Sequence, residues 1–175
     1  MTTLSASLDL IKNWLTYNMN ATYDISNNDR HIYWPSNSLL GMDETGRGAQ
    51  SKNTSWSKLF ENNLSLNHEI FPKQTLNVMA GYSYQYWVNE GMTIDRSNFL
   101  TDLFLDNNLG AGTVFKENST YKSDNKLILF YGRINYSAFD KYLLTATMRR
   151  DGSSRFGSNN KWGLFPSLAA GWRIN

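Results

Sequence analysis

The sequence predicts an all-β fold, an antiparallel up-and-down meander of about six strands forming an incomplete segment of a large transmembrane β-barrel. Three observations predict it. Apolar and polar residues alternate with period two in six stretches, the pattern of strands with two unlike faces. Short and long connections alternate strictly along the chain. Aromatic residues stand on the apolar rows at a spacing that matches a bilayer.

The first stretch is 14–25, where Leu15, Tyr17, Met19, Ala21, Tyr23 and Ile25 oppose Thr16, Asn18, Asn20, Thr22 and Asp24. In 56–70 the apolar row is Trp56, Phe60, Leu64, Leu66 and Ile70, interrupted by Asn62. The clearest case is 75–89: Leu76, Val78, Ala80, Tyr82, Tyr84, Tyr86 and Val88 share one parity, with Met79 and Trp87 as apolar exceptions on the other. Stretch 126–136 carries Ile128, Phe130, Ile134 and Tyr136, with Gly132 between them. Stretch 142–150 carries Tyr142, Leu144, Ala146 and Met148. In 162–174 the row is Trp162, Leu164, Pro166, Leu168, Ala170, Trp172 and Ile174. Pro166 removes a ladder donor, so a bulge or irregular pairing is expected there.

Phe71–Gln74 and Ala138–Lys141 read as tight turns, whereas 35–54, 90–124 and 151–161 read as long loops. In a meander the short turns then lie at one end and the long loops at the other, the asymmetry of outer-membrane barrels. Alternation by itself fits two folds: a soluble sheet whose apolar face packs on a core, or a barrel whose apolar face meets lipid. The placement of the aromatics favours the second, against aromatics that simply fill a core. Trp162 and Trp172 share a face ten residues apart, roughly 34 Å along a strand. At a tilt of about 40° this projects to roughly 26 Å, close to the ~25 Å apolar band between aromatic girdles. Tyr82, Tyr84 and Tyr86 stand at the loop end of their strand, where an outer girdle belongs. Six strands are too few to close a barrel, which needs about eight, so the chain reads as a fragment. The lack of a signal-peptide pattern after Met1 points the same way.

Composition removes other classes. With 14% aromatic and only 18% charged residues the chain is unlike an average soluble domain, and a net charge of +2 gives no case for a nucleic-acid partner. With no cysteine there is neither a disulfide nor a thiolate metal site. No catalytic set is visible: His31 and His68 lie far apart, and Ser153 and Ser154 have no histidine nearby in sequence. Glu90, Asp95, Asp102 and Asp106 make the second long loop acidic without the spacing of a calcium loop, so no metal or cofactor is expected. Within that loop, Asn98–Leu105 reads as a short helix capped by Ser97 or Asn98. Arg133, Arg149 and Arg173 share the polar, lumen-facing parity, where charge is tolerated, and carboxylates of the barrel such as Glu61, or of a plug, are their expected partners.

Five runs are more specific: Gly132–Ser137 (GRINYS), Asp140–Thr145 (DKYLLT), Arg149–Gly157 (RRDGSSRFG), Trp162–Ser167 (WGLFPS) and Ala170–Arg173. Together they closely resemble the SusC/RagA family of TonB-dependent outer-membrane transporters, and Leu76–Gln85 resembles the preceding strand. Before about residue 54 the likeness is one of style only. The resemblance implies a barrel of about twenty-two strands with an N-terminal plug. Residues 1–175 would then be a partial barrel domain without plug, TonB box or remaining strands, integral to the outer membrane with long loops extracellular. It implies import of oligosaccharides or peptides with a SusD-like surface lipoprotein, powered by TonB through the absent N-terminal part, and no enzymatic activity. Trp34, Trp87, Phe99 and Phe104 become candidates for contact with ligand or partner, Trp87 also having inward parity. The competing reading is a soluble all-β carbohydrate-binding module.

Overall fold

A computed structural model describes residues 1–157 and 160–174. It contains β1 (Thr2–Ile11), β2 (Leu15–Trp34), β3 (Arg47–Phe71), β4 (Gln74–Ser97), β5 (Val114–Ala138), β6 (Tyr142–Ser153) and β7 (Trp162–Trp172). Their order across the single sheet is their order along the chain. The meander is therefore as expected, but with seven strands rather than six. The added strand is β1, where Leu4, Ala6 and Leu8 alternate with Ser5, Ser7 and Asp9 and pair antiparallel with β2. Its alternation is as regular as that of β2.

Short and long connections still alternate, but the long ones are shorter than expected because strands continue into them. The connection expected over 35–54 spans only 35–46, and that expected over 90–124 only 98–113. The expected loop 151–161 includes Ser158 and Asn159, which with Asn175 lie outside the described residues. The turn Ala138–Lys141 is tight: the Lys141 amide donates to the Ala138 carbonyl at 3.1 Å. Phe139 and Asp140 both have positive φ, 54° and 56°, the two-residue geometry whose twist matches antiparallel strands.

The chain divides into two compact units. The first comprises Met1–Asp24, Ser57–Trp87 and Asn125–Asn175. It takes β1, β6 and β7 whole, with 15–24, 57–71, 74–87 and 125–138 from the longer strands. Each piece meets or exceeds the roughly 9–11 residues that a tilted strand needs to cross a bilayer. Register places the apolar rows side by side. Ile134 faces Ala146, which faces Leu168; Tyr136, Leu144 and Ala170 follow the same order. This row is uncovered: Leu168 is 75% exposed, and Ile134, Leu144, Met148 and Leu164 are exposed as well. No second sheet covers it among the described residues. A continuous apolar face of this kind is unfavourable in water and is matched by hydrocarbon. The soluble-sandwich reading, which required a covered core, is set aside.

Pro166 does not cause the expected bulge. It pairs with Met148 in an unbroken register. The reason is the alternation of hydrogen-bonding direction along a strand. The Arg173 amide donates toward β6, to the Lys141 carbonyl at 2.8 Å, so odd-numbered residues of β7 direct their N–H groups to β6. At Pro166 the missing donor would point away from β6, so the β6–β7 ladder loses no hydrogen bond there.

The second unit comprises Ile25–Trp56 and Val88–Asp124. Its packing centres are Val88, 1% exposed, with Phe99 and Leu109 also buried. Two short 3-10 helices occur, Met42–Glu44 and Leu105–Ala111. The expected helix over Asn98–Leu105 is absent. Asn98 has φ 63° and its amide donates to the carbonyls of Glu44 and Gly46, while the Phe99 amide donates to Thr45. Those amides tie the two loops together, and the Asn98 side chain bonds Thr113 Oγ1 at 2.6 Å instead of capping a helix.

Candidate functional site

On the polar face of the first unit, side chains answer one another across neighbouring strands. Along β1 and β2 the pairs Thr3–Thr22, Ser5–Asn20, Ser7–Asn18 and Asp9–Thr16 are all hydrogen-bonded, at 3.1, 3.0, 2.8 and 2.8 Å. Asn18 Nδ2 donates onward to Asn63 at 3.1 Å, and Ser83 Oγ to Glu61 at 3.3 Å. Further along the sheet Asn135 donates to Asn77 at 3.4 Å and accepts from Thr145 at 3.0 Å. Period-two alternation produces this wall: every second side chain is short and polar, and direct opposition brings partners within reach. The Tyr131 ring lies over Gly81, which has no Cβ to obstruct it. With Ser5, Ser7, Asn20, Glu61 and Asn63, and with Ala6 and Met19, Tyr131 lines a groove of about 400 Å³.

The expected charges on this face have mixed partners. Arg149 Nε bonds Asp151 at 2.7 and 2.8 Å. Arg133 lies opposite Thr147, and neither it nor Arg173 forms an ion pair among the described residues. Glu61, expected to meet an arginine, accepts from Ser83 instead. Trp87 is half-buried in β4 at the parity of Ser83 and Gln85. Neither histidine has a catalytic setting: His68 packs its ring 3.7 Å from that of Trp14, and His31 is held by Asp106.

The second unit holds a cluster of buttressed carboxylates, each fixed by a residue distant in sequence. Asp95, 7% exposed, takes three hydrogen bonds from the Arg47 guanidinium at 2.6 to 3.1 Å. Asp102 accepts from the Tyr33 hydroxyl at 2.7 Å, and from the Ser36 hydroxyl and amide. The Ser36 and Tyr33 bonds hold its carboxyl below the usual range. Burial first, and then the bond to Asp102, push the Tyr33 phenol up to about 12. Asp106 bonds His31 Nδ1 at 2.7 Å and Gln50, and the His31 contact lowers its pKa most. Glu90 pairs with Lys122 at 2.8 Å, and Lys116 with Glu44 at 2.9 Å. The four acidic residues noted in the sequence are thus satisfied by side chains, and no metal-ligating group occurs among the described residues.

The aromatic candidates in this unit part company. Phe99 is 5% exposed and packs edge-on to Tyr33, centroids 5.5 Å apart. It is a packing residue. Trp34 ends β2 half-buried beneath the Arg47 guanidinium, 5.3 Å from the ring centre. Phe104 is exposed, beside the still more exposed Leu100 and Leu103. Sequence reasoning missed the carboxylate anchors because their partners lie 48, 69 and 75 residues away.

An uncovered apolar face opposite a self-bonded polar wall defines the membrane-spanning wall of a β-barrel. Comparison with known proteins agrees. The profile described as TonB dependent receptor-like, beta-barrel matches residues 1–175, and the chain belongs to that family. TonB-dependent receptor P3 of Formosa agariphila is 35% identical over 155 residues, 87% of this chain and 15% of its own. TonB-dependent receptor SusC of Bacteroides thetaiotaomicron is 54% identical over 59 residues, 34% of this chain and 6% of its own. Among solved structures, the RagAB peptide transporter superposes with a TM-score of 0.85 at 26% identity, over 96% of this chain and 19% of that one. The likeness therefore extends through β1 and β2, beyond the motifs near the C-terminal end. The chain spans about 15% of the length of TonB-dependent receptor P3. It is a segment of an integral outer-membrane β-barrel of the TonB-dependent receptor family, with likeness to SusC and to the RagAB transporter.

Proposed function

We propose that these residues form part of the wall of a SusC-like importer of oligosaccharides or peptides. The observation that carries the reading is the two-faced sheet: an exposed apolar row on one side and hydrogen-bonded hydroxyl and amide groups on the other. Residues 1–175 supply a partial barrel domain, while a plug, a TonB-contacting segment and further strands belong to other parts of the protein. The wall performs no covalent step. Energy for cargo movement enters through TonB acting on the plug.

Cargo enters from the loop side, where a SusD-like surface lipoprotein covers the opening. Leu39, Leu40, Leu100, Leu103 and Phe104 are exposed apolar loop residues suited to that partner. Trp87 on the inward parity, the Tyr131 groove and Trp34 face passing cargo. Arg133, Arg149 and Arg173 line the lumen. RagAB is described as a peptide transporter, and the amide-rich wall suits peptides and glycans alike because both present donors and acceptors.

The test is fractionation of the full-length product with and without its candidate lipoprotein. The expected result is recovery in the outer membrane and copurification of the pair. Recovery in the soluble fraction would overturn the reading.

A further inference from the structure

Lys126 and Arg150 are cations on the lipid-facing row of the first unit, as is Lys58 in β3. Lys126 has the parity of Ile128 and Phe130 in β5, and Arg150 lies in register between Phe130 and Leu164. Among the described residues neither has a carboxylate within ion-pair distance. Each rests against a ring instead: Lys126 Nζ is 5.2 Å from the centre of Tyr86, and the Arg150 guanidinium 4.9 Å from that of Trp162. The neighbouring Arg149, on the opposite face, is neutralised by Asp151 at 2.7 Å.

Lys126 and Lys161 also line one cleft of about 200 Å³, with Ile128, Gly152, Ser154 and Trp162. The cleft is built. The Ser154 hydroxyl accepts from the Lys126 amide at 2.9 Å and donates to Asn125 at 2.8 Å. The Trp162 ring lies on Gly152, where a Cβ would meet it at 2.8 Å. A girdle tryptophan marks the depth of the lipid headgroups. At that depth a cation on the lipid face is tolerated, and phosphate is the anion within reach. Guanidinium and ammonium groups both bind phosphate well.

We propose that this rim binds a phosphate-bearing lipid of the outer leaflet. The phosphate sits among Lys126, Arg150 and Lys161, and the acyl chains lie along Phe130, Met148 and Leu164. The proposal concerns the outside of the barrel and does not depend on cargo or partner.

The experiment uses the full-length protein in phosphatidylcholine nanodiscs doped with bisphosphorylated lipid A, reading bound lipid by native mass spectrometry. Wild type is expected to retain lipid A, and to retain it less when the lipid is dephosphorylated or salt is raised. Inorganic phosphate at millimolar concentration is expected not to displace it, which separates a lipid site from a free-phosphate site. The double variant Lys126→Gln, Arg150→Gln should bind roughly tenfold more weakly, while Lys126→Arg, Arg150→Lys and the opposite-face Arg133→Gln should match wild type. Equal retention by the neutralised variant, equal loss in Arg133→Gln, or indifference of the wild type to dephosphorylation would each overturn the proposal. The last comparison needs no variant to fold.

Discussion

Replacing Arg47 by Gln tests how the outer loops are held. Asp95 is almost wholly buried, its side chain 10% exposed, whereas that of Arg47 is 36% exposed. Hydrogen bonds to charged groups contribute about 1.5–3 kcal/mol, and solvent at the arginine end places this pair toward the lower part of that range. Arg47→Gln leaves a buried carboxylate without its cation, and the expected local cost is about 2 kcal/mol. The cost should fall where the pair joins the loops. Asn98 and Phe99 donate their amides to Glu44, Gly46 and Thr45, beside both Arg47 and Asp95. In the full-length protein these two amides should exchange hydrogen about 30-fold faster, while amides of β6 and β7 keep their rates. Adding Asp95→Asn should cost little more, because the unpaired charge is then gone. Exchange within twofold of wild type, or two single effects that simply add, would refute the argument.

Two other outcomes follow from the faces and the anchors. Leu168→Arg, on the lipid row between Trp162 and Trp172, should destabilise the barrel in urea by about 2–4 kcal/mol, and Ser167→Arg on the other face by well under that; equal costs would contradict the assignment of faces. Acid should loosen the loops only below the usual carboxylate range. The pKa of Asp106 is lowered from its ordinary value of 3.8 by His31, so its stabilising contribution is complete above 3.8 and is lost as pH falls through the lower folded value. The opposite holds for Tyr33, whose contribution is present below 10.0 and is lost as pH rises through about 12. A carboxyl-carbon titration of Asp106 and an ultraviolet titration with Tyr33→Phe as reference would check both.

How much of this was legible in the sequence depends on the range of the cause. Alternation is local, so the faces of β2 to β7 could be read directly, and the register confirms them from Tyr142–Trp172 to Gly152–Trp162. β1 carries the same local signal in Leu4, Ala6 and Leu8, so it too was legible. The strands extend further than the alternation shows because 47–55 and 116–125 are largely polar on both parities. Pairing with a neighbour, which no single stretch encodes, continues them. The Asn98–Leu105 helix failed for a tertiary reason, since its first amides are taken by another loop. Pro166 was judged by its residue type, when the direction of its missing donor decides the outcome. Trp34, Phe99 and Phe104 look equivalent as letters, and only burial distinguishes the packing residue Phe99 from the exposed Phe104.

The lateral pairing of threonine, serine and asparagine side chains has a consequence for anything that slides past them. A surface whose donors and acceptors are already engaged offers a passing solute only weak, exchangeable contacts, much as a pre-wetted tube does. In the proposed importer, such a lining leaves the choice among solutes to whatever guards its two mouths.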